Sequence, residues 1–348
     1  MTDVYDRIPK VELHCHLEGT IAPATVAELA AKNGRALPVP RIEDLYDYDS
    51  LNGFLQVFWF VQALLEDRED WERAAFESVV HAAPYGLRYG EIFFTPARHL
   101  DAGQDLEGIV DGITRGFEAA EAETGVRCMA ICDLDRAYGG AAGFELVEQL
   151  VGLRRAGRAD RVIGLGLDST ELGVDPRDYT PAYELARSAG LRCTAHAGED
   201  TGPDNIATAL EALDAERIDH GLSILQDPEL TARVAAARIP LDVCPNSNVL
   251  IANKVPTLAE HPYMRMREAG LLATLNTDDP AMTDLDLGKE YRSVAQAFGL
   301  SFDEVAAIAL DGVEATWLDE GEKRRLQAEF ERDIEALRPD AEVLPAGG

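Results

Sequence analysis

The sequence predicts an α/β chain folded as one (β/α)8 TIM barrel, with extra helices after the first strand and at the C-terminus. Three observations predict it. Eight short apolar runs alternate with longer stretches of helical pattern, as parallel βα units require. No Gly-rich phosphate loop follows the first run, which weakens the runner-up, an open doubly wound sheet. The residues able to do chemistry stand at the ends of these runs, where a barrel gathers its site.

The first run, Val11–His16, places His14 and His16 two residues apart. On a strand such residues share a face. The segment Tyr46–Ala82 follows, long and helical, with Phe54, Phe58, Trp59, Phe60 and Trp71. It reads as inserted helices that cover the barrel mouth or simply pack an insertion. The next strands are expected at Tyr89–Phe94, Arg127–Cys132, Val162–Leu167, Arg192–His196, Arg217–Asp219, Pro240–Cys244 and Leu272–Asn276. Between them Asp105–Thr124, Ala141–Ala156, Pro181–Ala189, Asp204–Leu213 and Pro228–Ala237 carry helical patterning. Thr180-Pro181 reads as a helix cap, and Gly190 and Gly270 as helix stops. Two closing helices are expected at Phe302–Leu310 and Gly321–Leu337. One domain over residues 1–340 and a frayed tail over 341–348 follow from this reading.

Composition narrows the partners. The chain has 348 residues, 46% of them hydrophobic, which is ordinary for a globular core. A net charge of −31, from 63 acidic and 32 basic residues, argues against nucleic acid or an anionic membrane as partner. No apolar stretch approaches the ~18 residues of a membrane span. The five cysteines are widely spaced and odd in number, and no signal-peptide core opens the chain. A reduced, cytoplasmic protein is expected.

Four strand ends supply a metal hydrolase. The first gives His14 and His16, the fifth His196 and Glu199, the sixth His220, and the eighth Asp278 and Asp279. His14, His16, His196 and Asp278 make a nitrogen and oxygen set suited to one catalytic zinc with a position left for water. Zinc brings the pKa of such a water down toward about 7. His220 is placed to orient or deprotonate it. Glu199, raised by burial, is placed to protonate a substrate nitrogen. Asp279 is placed to hydrogen-bond the substrate.

These residues fall in segments that resemble a known family. LHCHLEG (13–19), HAGE (196–199), RIDHG (217–221), CPNSN (244–248) and LNTDDP (275–280) resemble the adenosine deaminase family of purine aminohydrolases in order and spacing, over about residues 8–318. The resemblance implies a (β/α)8 barrel with one zinc held by His14, His16, His196 and Asp278. It implies that Glu199 protonates purine N1, that His220 stands beside the attacking water, and that Asp279 contacts N7. The reaction implied is hydrolytic loss of ammonia from C6 of an aminopurine, adenosine or adenine. Glu18, followed by Gly19, stands where adenosine-specific members carry a ribose-contacting aspartate. Ser169 stands where a glycine binds purine N3. The stretches 166–171 and 91–94 resemble the adenine deaminase branch, whereas CPNSN and DDPAM are similar to nucleoside and aminodeoxyfutalosine branches. A barrel that cleaves esters or amides with two metals would carry a lysine at a strand end, and none stands there. A non-catalytic binding barrel would have lost a ligand or Glu199, and all are present.

Overall fold

The computed structural model describes residues 3–48, 51–251 and 254–341. Residues 342–348, nearly all of the expected tail, lie outside the described residues. Among the described residues eight parallel strands pair in chain order. They are β1 (Lys10–Glu12), β2 (Leu87–Phe94), β3 (Arg127–Asp135), β4 (Val162–Asp168), β5 (Arg192–Ala197), β6 (Arg217–His220), β7 (Pro240–Val243) and β8 (Leu272–Leu275). The sheet closes where the chain after β8 meets the chain after β1. Asp278 N–H donates to the His14 carbonyl at 3.0 Å, and His16 N–H donates to the Asp278 carbonyl at 2.9 Å.

β1 is shorter than expected, ending at Glu12 rather than His16. The physical reason is a change of partner. Beyond Glu12 the backbone stays extended in part but is held piecemeal: Leu13 N–H reaches the Asn276 side chain, and Phe93 N–H reaches the Cys15 carbonyl. This segment therefore carries its two histidines past the ladder and into the barrel mouth.

The expected helices are present with ends displaced by a residue or two. Asp105 caps Leu106–Thr124 by accepting from Gly108 N–H, and Asp227 caps Pro228–Ala237. Gly190 and Gly270 lie at φ of +79° and +82° just after their helices. The inserted segment forms two helices, Leu51–Gln62 and Arg68–Ala82. The closing helices run longer than expected, over Phe302–Ala315 and Glu320–Ala341.

The interior of the barrel is filled by large groups set against glycine. A Cβ on Gly164 of β4 would meet the Trp317 ring at 2.3 Å. One on Gly166 would meet the Asp133 carboxylate at 2.0 Å. Two glycines in one strand thus admit a tryptophan from the C-terminal region and a carboxylate from β3.

Candidate active site

The mouth of the barrel at the C-terminal strand ends holds a cavity of about 440 Å³. His16, His196, Glu199, His220, Asp278 and Asp279 all line it. Sequence separations of up to some 260 positions are thereby closed into one site. Phe54, Phe58 and Trp59 of the inserted helix form an apolar wall on the same cavity. Trp71 does not line it and is instead fully buried in the core.

Three residues at these strand ends have left-handed backbone: Ser169 (φ 72°), His220 (φ 64°) and Asp278 (φ 66°). Such conformations cost on the order of 1–3 kcal/mol for a residue with a Cβ and gather at functional sites. Here they turn the chain sharply just after β4, at the end of β6 and after β8, so that each side chain faces the mouth.

The histidines are oriented by polar groups behind them. His14 Nδ1 lies 3.0 Å from the Asp242 carbonyl oxygen, an acceptor, so this nitrogen carries the proton and Nε2 presents its lone pair. His196 Nδ1 lies 3.3 Å from an Asp219 oxygen, and His16 Nδ1 lies 3.7 Å from an Asp133 oxygen. On the other side of each ring the donors converge. His14 Nε2 and His16 Nε2 stand 3.5 and 3.3 Å from the same Asp278 oxygen. One ligating nitrogen from each of His14, His16 and His196 falls within 4.8 Å of the others.

This arrangement fits a metal ion. His14 Nε2 and His196 Nε2 are buried with no hydrogen-bond partner among the described residues. Buried polar atoms without partners are costly, and a cation would satisfy the converging ones. Carboxylates and carbonyls behind ligating imidazoles are the usual support of such sites. Cys244 and His220 also offer donor atoms within 4.8 Å of His14 and Asp278. His220 Nδ1, however, is occupied by Asn248, and Cys244 Sγ sits 4.0 Å from the His14 carbonyl oxygen. Ser247 Oγ donates to Asp278 Oδ2 at 2.6 Å, leaving the other oxygen toward the histidines.

Three further titratable groups, Glu199, Asp279 and His220, line the same cavity. Burial, then the nearby Asp278 charge, pushes the Glu199 carboxyl up to about 8, so it holds a proton at neutral pH. Burial and the Asp278 charge likewise push Asp279 well above the usual carboxylate range. Burial, then the adjacent His14, holds His220 well below the usual histidine range, so it is neutral. His220 Nε2 stands 3.6 Å from Glu199 Oε2.

Ser169 lines the cavity as expected of a substrate-facing residue, but Glu18 and Gly19 do not. Glu18 is fully buried and accepts the Thr95 N–H at 3.0 Å. A Cβ on Gly19 would strike Asp279 Oδ1 at 1.9 Å, so the glycine makes room for that carboxylate. Gly19 thus acts through Asp279, whereas Glu18 Oε2 is buried with no hydrogen-bond partner among the described residues.

Sequence reasoning passed over Glu171, Asp133, Ser247, Asn248 and His261. The segment CPNSN carried a signal, a run of polar residues directly after a buried strand. Glu171 closes the stretch 166–171 that the resemblance marks, with no role attached to it; His261 carried none.

Comparison with known proteins agrees with this geometry. A family model described as adenosine deaminase matches residues 9–332. The chain is similar to an adenine deaminase from Streptomyces coelicolor, 37% identical over 95% of this chain and 96% of that protein. It is similar to one from Hahella chejuensis, 32% identical over 96% and 99%. Among solved structures it resembles adenine deaminase from Arthrobacter aurescens, with a TM-score of 0.89, 32% identity and coverage of 94% and 99%. It also resembles an amidohydrolase from Burkholderia ambifaria with bound zinc, with a TM-score of 0.91, 29% identity and coverage of 98% and 94%. With a matching family model over nearly its whole length and relatives above 30% identity, the chain belongs to the adenosine deaminase family.

Proposed function

We propose that the protein is a zinc-dependent aminohydrolase that converts adenine and water to hypoxanthine and ammonia. One observation carries the reading: Glu199 and His220, with 3.6 Å between Oε2 and Nε2, share one cavity with His16, His196 and Asp278. His14, His16, His196 and Asp278 would hold the ion. The Burkholderia ambifaria relative, solved with bound zinc, supports that metal, as does the nitrogen and oxygen donor set. Zinc supplies Lewis acidity that lowers the pKa of a water toward about 7.

The chain's own residues do the rest. Glu199 gives its proton to ring N1, which withdraws electrons from C6 and readies it for addition. Asp279, holding a proton, donates to N7 and fixes the ring in the same plane. Water adds through its oxygen to C6; one of its protons ends on the Glu199 carboxylate, restoring it, and the other on the departing amino nitrogen, so the C6–N bond breaks as ammonia and the ring becomes the 6-oxopurine. The aromatic wall of Phe54, Phe58 and Trp59 keeps water from the bound base.

Relatives named adenine deaminase support the free base over a nucleoside or a modified nucleoside such as aminodeoxyfutalosine. Five buried, unpaired thiols support a reducing compartment such as the cytoplasm. The test is a substrate panel on metal-analysed protein: adenine, adenosine, a 5′-modified adenosine and AMP, read by ammonia release. Adenine is expected to turn over best. Zinc-loaded protein that leaves adenine intact overturns the reading.

A further inference from the structure

A chain of hydrogen bonds runs from a backbone amide outside the cavity to both acid–base residues. Tyr263 N–H donates to His261 Nδ1 at 3.1 Å. His261 Nε2 meets Asn248 Oδ1 at 3.2 Å. Asn248 Nδ2 then reaches Glu199 Oε1 at 2.9 Å and His220 Nδ1 at 3.1 Å. His261 and Asn248 are buried, at 2% and 0% exposure, so water does not stand in for these partners.

The direction of every bond follows from the first. A backbone N–H can only donate, so His261 Nδ1 is an acceptor. A neutral imidazole with an acceptor at Nδ1 carries its proton at Nε2. His261 is neutral, because burial, then the charge of Arg265, pushes it down to about 4. Its Nε2–H therefore faces the Asn248 oxygen and not the Asn248 amide, which fixes which way that side chain is turned. Both amide protons of Asn248 then point inward. One binds Glu199 Oε1. The other binds His220 Nδ1, which must be a lone pair.

Local geometry makes the first link. Pro262 holds the preceding residue extended, and His261 has φ −61° and ψ 137°. The chain then turns directly into the helix Tyr263–Glu268, bringing Tyr263 N–H back over the imidazole. The Tyr263 hydroxyl, donating to the Ala273 carbonyl of β8 at 3.2 Å, ties that turn to the barrel.

We propose that His261 is a positioning residue that, through Asn248, holds His220 as its Nε2–H tautomer and leaves Glu199 Oε2 as the proton-bearing oxygen. His220 then meets the developing negative charge at C6 as a hydrogen-bond donor and not as a base. Glu199 meets N1 with a proton already on the oxygen that faces the cavity. The catalytic part of this inference rests on the aminohydrolase reading, whereas the tautomer is a property of the resting protein.

The experiment has both arms. Nitrogen-15 spectra of histidine-labelled wild-type protein, with the His220 signal identified by its loss in His220→Gln, are expected to show the Nε2–H form. In metal-replete His261→Phe the kcat for adenine is expected to fall about 10- to 100-fold with KM within ~3-fold, the usual scale for a lost supporting hydrogen bond. His261→Gln returns a donor to Asn248 and is expected to recover most of that loss. In an Asn248→Ala background, His261→Phe is expected to cost nothing further. A wild-type His220 protonated at Nδ1 overturns the proposal. So does unchanged kcat in folded His261→Phe, or an equal loss in the Asn248→Ala background. Absence of adenine turnover by the wild type defeats the aminohydrolase reading instead and leaves the tautomer arm to be judged alone.

Discussion

The Glu171 carboxylate accepts the backbone N–H of Glu199 at 2.8 Å. It also accepts the N–H groups of Gly198 and Asp200 at 2.8 and 2.9 Å, and the Thr201 hydroxyl at 2.5 Å. One anion from the loop after β4 therefore organises the whole turn after β5. The turn would otherwise bury several donors without acceptors. Glu199 is held from two directions, by its backbone on Glu171 and by its side chain on Asn248.

Glu171→Gln is expected to loosen that turn. An amide offers one accepting oxygen where the carboxylate offers two, and its NH2 faces groups that are themselves donors. The kcat is expected to fall about 10- to 100-fold, as for other supporting groups. Stability carries a separate signature. Burial alone would raise the Glu171 pKa, but the Thr201 hydroxyl and the backbone N–H groups prevail and hold it below its ordinary value. The unfolded chain, with a glutamate near ~4.3, then binds the proton more tightly than the folded one. The contribution is present above ~4.3 and is lost as pH falls through the lower folded value. Denaturant titrations of wild type and variant should thus differ most at neutral pH and converge in acid. A gap that stays constant down the acid limb would sink this assignment.

Glu199→Gln keeps the shape and the Asn248 contact but has no proton to give. The expected result is full metal content and a kcat lower by ~10²–10⁴. In the wild type, kcat/KM for adenine should decline on the alkaline side as Glu199 ionises near its raised value of about 8. The sign follows from role: the protonated form is the active one, so activity is lost as pH rises. That limb should be missing from the residual activity of the variant. Its persistence would assign the alkaline ionisation to another group.

Much of this site was legible before folding because its members lie at strand ends in short motifs. His14 and His16 announce themselves by their spacing, and Asp278-Asp279 by their place after the last apolar run. The groups that aim them were not legible. Glu171 sits 28 residues from Glu199, and Asp133 is one of two acids, with Asp135, at the end of a largely apolar strand. Their roles exist only once parallel strands bring β3, β4 and β5 side by side. Glu18 shows the converse. Its position beside His16 suggests a substrate contact, and only the folded 3-10 turn Leu17–Thr20 shows that one of its oxygens is taken by Thr95 N–H while Oε2 is left without a hydrogen-bond partner among the described residues.

Metal removal should separate binding from fold. His14→Ala deletes the proposed ligand whose Nε2 has no hydrogen-bond partner among the described residues. Metal analysis is expected to drop from about one ion per chain to well below that, because one of the four proposed donors is gone. Chelation of wild type should abolish turnover and lower Tm, and adding zinc back should restore both. An ion that binds the folded state at a thousandfold its Kd adds about 4 kcal/mol by mass action. Retention of stoichiometric metal in His14→Ala would remove this residue from the ligand set.

The same histidine is tied to a buried ion network deeper in the barrel. Arg217 is fully buried, bonded to Glu91 at 2.6 Å, 3.2 Å from Asp242 and stacked on Trp317 at 3.7 Å to the ring centroid. Glu91 also accepts the Trp317 N–H at 2.7 Å, which pins the C-terminal region to the barrel interior. Asp242 in turn lends its carbonyl to His14. Arg217→Met keeps the length of the side chain but leaves two carboxylates facing each other without a cation. Breaking such a pair costs about 3–5 kcal/mol, whereas removing all its charges together is close to neutral. The single variant is therefore expected to shift the denaturant midpoint strongly with little change in slope. The triple variant Arg217→Met, Glu91→Gln, Asp242→Asn is expected to recover most of that loss. Metal content should follow stability across the series, because His14 leans on the Asp242 backbone and not on its charge. A triple variant as unstable as the single one would show that the network matters for its shape and for the Trp317 stack, and not for balancing charge.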